Sequence, residues 1–429
     1  MKRDVDIVIV GAGMSGLSLA ACLQNQPYKI CLLEKHLPAV LQGHEDVRPI
    51  SLSYTSQQLL QTLGLWQTLA FSASAIEAVH ISQQNQFGAV RINAEAIRLP
   101  VLGYVLPYCE LQKSLYQWVV NLPNVEIVPI QNLQSVSTAK NNCQIQFVSK
   151  NQIETITCRL IIGADGAHSA VRELSGIDAE EKSVEQVAMT ATVSLNRNST
   201  TTAYERFSTL GTFAILPGQV KQCGLVWTMP VSQWTAVEAY SAQDYCRALQ
   251  ETFGYRLGRI LEVTRTGSYR LDRIISQRQQ QPGLILIGNA AHTFLPLAAQ
   301  SLNLSLRDIA LLAELIVSDQ LDAYETKRQS DQKNIMRLTE VAHIWQKIPI
   351  LKATKMLGFL AAELLPGLEQ WVAKLGVGHG GYVPKLMRGL KLTPTGLGEW
   401  SHVTQFSAST TEQTSRAETH FAMDHSLPN

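Results

Sequence analysis

The chain has 429 residues, and its 36 lysines and arginines balance 35 aspartates and glutamates. This balance gives no global field that favours nucleic acid, and the length allows two or three domains with a substantial core. The seven cysteines form no C-x-x-C pair and lie in apolar segments. The pattern favours a reduced, cytoplasmic chain over a disulfide scaffold.

The N-terminus resembles an export signal only superficially. Lys2 and Arg3 precede an uncharged run over residues 7–23, but Asp4 and Asp6 disturb the positive start and glycines interrupt the run. We therefore predict a strand and a helix rather than a signal peptide. No later stretch of the sequence reaches the roughly 18 uninterrupted apolar residues of a membrane span.

The first forty residues show the pattern of a dinucleotide-binding fold. An apolar, β-branched strand over residues 5–10 runs into three glycines spaced G-x-G-x-x-G, and a helix and a second strand follow. The second strand ends on Glu34, eighteen residues past the last glycine. Because strand, glycines, helix, strand and acid all occur in order, we predict a bound adenine dinucleotide rather than a coincidental glycine turn.

Each glycine of this motif has a separate expected task. Gly11 allows the tight turn, Gly13 lets the pyrophosphate approach the backbone, and Gly16 lets the helix pack on the strand. The helix N-terminus offers free N–H groups and the positive end of a dipole to the phosphates. Glu34 can accept both ribose hydroxyls.

The following segments alternate between helices and short strands. Helices are expected over residues 56–65 and 110–120, short strands and turns over 77–108, and a small meander over 125–147. Arg48, in a loop, has two interpretations: a solvated charge, which the residue alone favours, or a cation that reaches the dinucleotide.

Two later buried strands also end in glycine turns. One, over residues 158–162, precedes Asp165 and Gly166, and the other, over 283–287, precedes Gly288 and Asn289. Asp165 can bond ribityl or ribose hydroxyls, or it can cap a helix. Together with the first strand, these ends are expected to hold one cofactor at the carboxyl edge of a parallel sheet.

Between these strands the sequence changes character. Strands over 187–195, 212–216 and 224–229, with helix within 234–253, predict an inserted antiparallel sheet. Such a sheet either forms a wall for an apolar substrate or serves as a packing layer, and the sequence alone scarcely separates the two.

The C-terminal part divides into a helical region and a tail. Residues 331–392 predict a helical cap, whose apolar and basic segments either pack on the core or contact a membrane or a partner. A second G-x-G-x-x-G match, over 376–381, follows a helix rather than a strand, so we reject it as a dinucleotide site. Residues 393–429 are polar and predict a disordered tail.

The three glycine motifs, at 11–16, 163–166 and 288–292, together resemble the FAD-dependent aromatic hydroxylases over residues 4–390. Gly-Asn-Ala-Ala at 288–291 and Tyr-Glu-Arg-Phe at 204–207 are similar to the ubiquinone-biosynthesis branch, the 2-polyprenyl-6-methoxyphenol hydroxylases. The resemblance implies an α/β fold with a Rossmann-type FAD-binding domain, an inserted antiparallel-sheet substrate domain and a C-terminal helical region.

The implied domain boundaries follow from this fold. The FAD-binding domain covers 1–180, with a substrate-side insertion near 77–108, and resumes at 274–330. The substrate domain covers 181–273.

The resemblance also implies an activity. NAD(P)H reduces FAD, dioxygen forms a flavin C4a-hydroperoxide, and the ring of a small apolar phenol with a polyprenyl tail takes the distal oxygen. Two other interpretations stay open: a weak or inactive paralogue that acts as a structural partner in a ubiquinone-synthesis complex, and a flavin enzyme for a different phenol. The implied location is cytoplasmic, with peripheral contact at the inner face of the membrane.

The family's roles can be carried to this sequence residue by residue. Glu34 is expected at the adenosine ribose, Arg48 at the pyrophosphate, Asp165 near nicotinamide and flavin, and Asn289 at the pyrophosphate or ribityl chain. The remaining expected cofactor-binding residues are Gln112, Gly166, Gly288 and, along the flavin ring, Pro296, Ser301, Leu302 and Asn303. The sequence assigns no catalytic side chain and no metal ligand.

The sequence departs from the family in the segment after Pro296. Ala299, Ser301 and Ser305 replace glycines, and Leu302 replaces an aromatic residue. Those glycines let backbone N–H groups approach the flavin, so added Cβ atoms are expected to displace the ring or to forbid a turn with positive φ. Tyr108 likewise stands where the family often carries an amide.

Overall fold

A computed structural model describes residues 2–36, 46–293, 300–329, 331–334 and 368–393, and every structural statement below concerns these residues. The described residues all belong to one compact unit by their contacts. The predicted disordered tail and most of the predicted helical cap lie outside the described residues. The domain boundaries given above therefore remain predictions.

The described strands, in chain order, are β1 Lys2–Asp4, β2 Ile7–Val10, β3 Ile30–Glu34, β4 Pro49–Ser53, β5 Ser74–Ile76, β6 Ala78–Gln83, β7 Ala89–Asn93, β8 Gly103–Pro107, β9 Val125–Pro129, β10 Asn132–Ser137, β11 Cys143–Ser149, β12 Gln152–Cys158, β13 Leu160–Gly163, β14 Ala179–Leu195, β15 Thr202–Ser208, β16 Gly211–Pro217, β17 Gln222–Pro230, β18 Ile260–Ser276, β19 Gln280–Gln281, β20 Leu284–Leu286 and β21 His292–Thr293. The described α-helices are α1 Met14–Cys22, α2 Tyr54–Leu63, α3 Trp66–Leu69, α4 Tyr108–Val120, α5 Ala170–Leu174, α6 Val231–Glu238, α7 Ala242–Phe253, α8 Gln300–Val317 and α9 Leu368–Gly376.

A six-stranded sheet in the order β19-β20-β13-β2-β3-β9 forms the centre of the fold. From β20 to β9 all neighbours are parallel, as the continuous apolar runs predict. One face packs on a second sheet, β1-β12-β11-β10, through buried residues such as Val8, Leu33 and Phe147. On the helical side, α1 packs against α4 and α8.

The predicted meander over residues 125–147 is wrong in its first strand. β10 and β11 do pair antiparallel, but β9 joins the parallel sheet beside β3. The reason is the long connection from β3 to β9, which ends with α4: a long crossover connection returns a strand parallel to the one it left, whereas a meander needs tight turns.

An eight-stranded sheet in the order β21-β18-β14-β17-β16-β15-β6-β7 forms the predicted inserted sheet. Alternate side chains of β17 separate its two faces. Leu225 and Trp227 are buried beneath α6 and α7, where Trp227 stacks on Phe213 at 4.4 Å between ring centroids, while Val226 and Thr228 face the other way. This period of two is what the apolar alternation predicts.

The sheet is wider than the sequence suggests. β6 and β7 come from the N-terminal half, and β6 pairs parallel with β15. β18 pairs with β14 along nearly its whole length, although no strand is predicted from the sequence of β18. Its run of exposed charged residues hides the alternation that marks a half-buried strand.

A buried ionic cluster fixes α8 to its surroundings. Asp308, 1% exposed, accepts hydrogen bonds from His292 on β21, at 2.7 Å, and from Arg328. Arg328 also pairs with Asp331 at 2.9 Å, and Gln332 donates to Asp308 at 3.0 Å. Burial raises the pKa of Asp308 and Arg328 lowers it, and the net shift is downward. The cluster holds its carboxylate charged behind the first turns of α8.

The predicted helix over 110–120 begins at Tyr108, and the helix over 56–65 corresponds to α2. The second G-x-G-x-x-G match follows α9, as predicted. No helix among the described residues is long and apolar enough to cross a membrane.

Candidate cofactor and substrate site

The three predicted strand ends meet at one edge of the parallel sheet. Gly163 at the end of β13 lies in register with Val10 of β2 on one side and with Leu286 of β20 on the other. The turns that follow these strands, at Gly11, Ala164 and Gly288, therefore lie side by side.

Sterics explain two glycines of the first turn. Gly11 has φ +104°, and a Cβ there would lie 2.5 Å from the carbonyl oxygen of Ala164. A Cβ on Gly16 would collide with the carbonyl oxygen of Gly11 and come within 3.2 Å of Ile9. Both positions require glycine so that α1 and the turn after β13 can pack closely.

Gly13 differs from both neighbours in the motif. It precedes α1 in an extended conformation, and a Cβ there would meet nothing within 4 Å. Because Gly13 also lines the large cavity described below, this open space lies in front of the first N–H groups of α1. A cradle of backbone donors is therefore left clear for an anion.

Glu34 lies at the end of β3 and faces the glycine turn. Its carboxylate accepts hydrogen bonds from the backbone N–H groups of Ala12 and, at 2.7 Å, of His36. Each carboxylate oxygen has more than one acceptor site, so these bonds leave capacity for a hydroxyl donor.

Asp165 caps a helix in this structure. Its carboxylate accepts hydrogen bonds from Ser169 Oγ and, at 3.0 Å, from the backbone N–H of Val171, at the start of α5. The capping interpretation thus describes the observed contacts. Its chain neighbours Ala164 and Gly166 line the cavity, and Gly166 has φ +92° with open space at its Cβ position.

The turn after β20 is anchored to α1. Gly288 has φ +58°, and a Cβ there would collide with Ser15 Oγ. Asn289, the next residue, is exposed and lines the cavity. The tight packing of Gly288 therefore presents the Asn289 amide at the sheet edge.

A cavity of about 540 Å³ extends from this edge to the eight-stranded sheet. On the edge side it is bounded by Gly13, Ala164, Asn289 and the start of α8. Across from them, the sheet contributes two cross-strand rows that face the cavity: Glu205, Ala214, Val226 and Thr190, and Thr212, Thr228, Ala188 and Tyr269.

Arg48 contacts both sides of the cavity. Its guanidinium lies 4.3 Å from the ring centroid of Tyr108 on α4 and 4.9 Å from that of Tyr269 on β18, and it pairs with Asp46 at 3.1 Å. With 30% of its side chain exposed, Arg48 is more confined than a solvated loop charge. Tyr108, where the family often has an amide, is one of its two stacking partners.

The first turns of α8 form part of the cavity wall. Ser301, Leu302 and Ser305 line it, and Ser305 Oγ donates to the carbonyl oxygen of Ser301 at 3.1 Å. These three residues are helical, and none has a positive φ. The added Cβ atoms at 301 and 305 therefore forbid no turn.

The other predicted residues of this region take different places. Asn303 is buried and fastens α8 to β4, accepting from Ser53 N at 2.8 Å and donating to Ser51 O at 3.0 Å. Gln112 is partly exposed on α4 and does not line the cavity. Pro296 and Ala299 lie outside the described residues.

Sequence reasoning missed one titratable residue of the cavity. Glu205 lies on β15 and lines the cavity, and burial raises its pKa to about 7. Glu205 is half-buried in the cavity wall, and the loss of surrounding water disfavours the charged form of its carboxyl group. The available signal was an adjacent charged pair, Glu205 and Arg206, between aromatic residues 204 and 207, but no strand is predicted there from the sequence.

The residues present fit an adenine dinucleotide flavin. The clear cradle at Gly13, the acid at the end of β3 and the exposed amide of Asn289 lie at one edge, which opens on a cavity that extends over a β-sheet. Fold and site together define a dinucleotide-binding protein with a substrate-sized chamber beside the cofactor position.

Comparison with known proteins gives the family. Residues 4–339 match the family described as FAD binding domain, and the chain belongs to it. It is 28% identical to ubiquinone hydroxylase UbiL of Rhodospirillum rubrum, with 91% of this chain and 94% of that protein covered. It is also 28% identical to 3-demethoxyubiquinol 3-hydroxylase of Escherichia coli, with 88% and 99% covered.

Solved structures agree on the fold. p-Nitrophenol 4-monooxygenase PnpA of Pseudomonas putida superposes with a TM-score of 0.69 at 16% identity, covering 88% of this chain and 99% of that one. The resemblance to FAD-dependent hydroxylases of the ubiquinone branch and the predicted Rossmann-type fold with an inserted sheet are thus confirmed.

Proposed function

We propose that this protein is an FAD-dependent monooxygenase that hydroxylates a polyprenylated phenol of the 2-polyprenyl-6-methoxyphenol type in ubiquinone biosynthesis, with NAD(P)H and dioxygen as co-substrates. The observation that carries the proposal is the cavity between the predicted flavin edge and the inner face of the eight-stranded sheet. The names of two relatives, which concern ubiquinone hydroxylation, support the substrate class.

Residues of the parallel-sheet edge hold the cofactor in this proposal. The N–H groups of α1 beyond Gly13 receive the pyrophosphate, Glu34 accepts from the ribose, and Asn289 bonds the chain between phosphate and ring. When bound, FAD supplies the activation of dioxygen after reduction by NAD(P)H. The helical Ser301 and Leu302 form the wall against which the flavin ring lies.

The eight-stranded sheet orients the phenol and excludes water. Ala188, Ala214 and Val226 offer an apolar surface to the ring, and Thr190 is already bonded to Thr266 at 2.9 Å. A wall with few free polar groups suits a substrate with an alkenyl tail, and water exclusion protects oxygen that has been activated but not yet transferred.

Structure at α8 supports the active enzyme over the inactive-paralogue alternative. The inactive-paralogue interpretation assumes that Ser301 and Ser305 forbid a turn that glycine permits. In the structure both serines are helical, and they are hydrogen-bonded to each other. We further propose a cytoplasmic location with peripheral contact at the inner face of the membrane, and association with other enzymes of the pathway, since the substrate's tail partitions into lipid.

Reconstitution with FAD tests the proposal. The purified protein is expected to bind FAD and to shift the absorption spectrum of the flavin. With FAD bound, a short-chain 2-prenyl-6-methoxyphenol is expected to accelerate NAD(P)H oxidation, and mass spectrometry should show that this phenol gains one oxygen atom. Failure to take up FAD refutes the proposal. If FAD binds but only other phenols stimulate NAD(P)H oxidation, the enzyme acts on a different phenol.

A further inference from the structure

Glu205 occupies an unusual place for a carboxyl group. Its neighbours across the sheet are Ile81 on β6 and Ala214 on β16, neither of which can neutralise it. Among the described residues, no side chain donates a hydrogen bond to it and none pairs with it. A carboxyl group in an apolar wall without a partner is costly, so the fold retains it at a price in stability unless a ligand satisfies it.

The charged side chains near Glu205 do not contact its carboxyl group. α7 packs on the opposite face of β15, where Arg206 donates to the carbonyl oxygen of Thr252 at 2.6 Å. The rings of His80 and Tyr204 lie 5.7 Å apart between centroids and are tilted by 49°. Besides Glu205, the titratable residues of the described chain that line the cavity are Arg48, already paired with Asp46, and Tyr108, Tyr204 and Tyr269. The described residues thus bring one carboxyl group and one paired cation to the cavity wall.

We propose that Glu205 is the group that recognises the ring hydroxyl of the substrate: its carboxylate accepts the hydroxyl hydrogen of a neutral phenol held in this cavity. This proposal rests on the proposed function for the identity of the phenol. It follows from the cavity position, the apolar cross-strand neighbours and the lack of any described partner. The Glu205 carboxylate is a hydrogen-bond acceptor without a donor, and a hydroxyl group of a ligand would supply one.

The same contact has a chemical use. As a ring carbon gains oxygen derived from dioxygen, the phenolic O–H bond breaks, its electron pair moves into the ring carbon–oxygen bond, and the proton passes to the Glu205 carboxylate. When the oxygenated ring carbon then loses its own hydrogen as a proton, that proton leaves with the second oxygen atom of dioxygen as water, the ring becomes aromatic again and Glu205 returns its proton to the ring oxygen. The two electrons that reduce this second oxygen atom come from NAD(P)H, as in the proposed function. Since burial raises the pKa of Glu205 to about 7, the group can accept and return a proton near neutral pH.

Recognition by an unneutralised carboxylate also selects among substrates. A ring that carries its own carboxylate would bring a second negative charge into the cavity, where like charges repel strongly because water is scarce. Glu205 therefore favours neutral hydroxylated rings over hydroxybenzoates of the same size.

Calorimetric titration of the purified protein with 2-methoxyphenol tests the proposal, and it does not depend on turnover. If only the ionised carboxylate accepts the phenol, the affinity rises about tenfold between pH 6 and pH 8, because the ionised fraction of a group with pKa about 7 rises by about that factor. At pH 7 about half a proton is released per phenol bound, measured in two buffers of different ionisation enthalpy. This second measurement uses the wild-type protein and needs no variant.

Two variants separate the carboxylate from the general polarity of the wall. Glu205→Gln is expected to bind 2-methoxyphenol about tenfold more weakly at pH 8, since a hydrogen bond to a charged acceptor is lost, and to do so without pH dependence. Thr228→Val, on the same wall, removes a hydroxyl but no titratable group and should keep the pH dependence. The probe 4-hydroxy-3-methoxybenzoate is expected to bind the wild type more weakly than 2-methoxyphenol and to recover affinity in Glu205→Gln.

The outcomes distinguish this proposal from the proposed function. If the wild type shows neither proton release nor pH-dependent affinity, or if Glu205→Gln binds 2-methoxyphenol as the wild type does, the role of Glu205 is overturned even when FAD-dependent turnover is normal. If FAD does not bind but the phenol titrations behave as expected, Glu205 stands and the oxygenase assignment falls.

Discussion

Gly13 and Gly16 belong to one motif, but the structure predicts opposite consequences of adding a side chain. Gly13 has an extended backbone with φ −75°, and a Cβ there meets nothing within 4 Å, so Gly13→Val should fold. Loss of glycine at a helix N-cap costs about 1 kcal/mol at most. At Gly16 the added Cβ collides with the backbone oxygen of Gly11, and overpacking of this kind costs about 1–3 kcal/mol.

The effect on FAD follows from the space that each side chain fills. The valine at position 13 would occupy the cradle in front of α1 and deny the pyrophosphate at least one charge-assisted hydrogen bond, worth about 1.5–3 kcal/mol. This corresponds to FAD binding weakened about ten- to a hundredfold. Gly16→Ala should lower both FAD affinity and stability, because it displaces α1 itself.

Two measurements on the flavin-free protein separate these effects. The thermal midpoint by circular dichroism reports stability, and quenching of flavin fluorescence during titration reports FAD affinity. Gly13→Val should keep a midpoint near that of the wild type and lose affinity. The steric argument is refuted if Gly13→Val binds FAD normally, or if its midpoint falls as far as that of Gly16→Ala.

Three further predictions concern stability and reactivity. Asp308→Asn should lower the free energy of unfolding by about 3 kcal/mol, because the buried Arg307 and Arg328 are then left to share one carboxylate, that of Asp331. Since the folded-state pKa of Asp308 lies below the ordinary 3.8, the wild-type advantage in urea unfolding should be full above that pH and shrink below it, and a difference that does not change with pH would contradict the reasoning. Ser305→Gly should destabilise α8 by about 0.5 kcal/mol without improving FAD affinity, and tighter FAD binding would show that the serine obstructs the flavin. Burial raises the pKa of the Cys22 thiol, so Cys22 should resist modification by maleimide in the native protein. The half-buried Cys246 should be labelled first, and mass spectrometry of samples taken over time measures the order of labelling.

The sequence predicts the parts of this fold whose signals are local. The apolar β-branched runs, each ending in a glycine turn, fix the central parallel sheet, because such runs have few alternatives when helices separate them. The G-x-G-x-x-G pattern occurs once after a strand and once after α9, and only the preceding element distinguishes the dinucleotide motif from the second match.

Other features depend on pairings that no local pattern encodes. β18 presents charged residues on much of its surface and is a strand because β14 lies beside it. Glu205 became a candidate only when the register placed it across from Ala214 in the cavity wall. The sequence leaves Asp165 with two interpretations, and the cap of α5 that its oxygens form depends on the position of Ser169 and not on the strand before it, while its role toward a cofactor stays a prediction.

The strands of the eight-stranded sheet come from distant parts of the chain, and this affects folding during synthesis on the ribosome. Thr202 of β15 pairs with Ala78 of β6, 124 residues earlier in the chain, and β21 at the other edge begins only at His292. The sheet cannot be completed until residue 292 has left the ribosome, and pairings of such long range form slowly. β6 and β7 can pair with each other at once, but this hairpin must wait while more than a hundred residues are added, and it exposes the edge of β6 that β15 later covers. A chaperone that acts during this interval should increase the yield of folded protein more than one supplied after release, and a fragment limited to residues 181–273 should lack both edges of its own sheet.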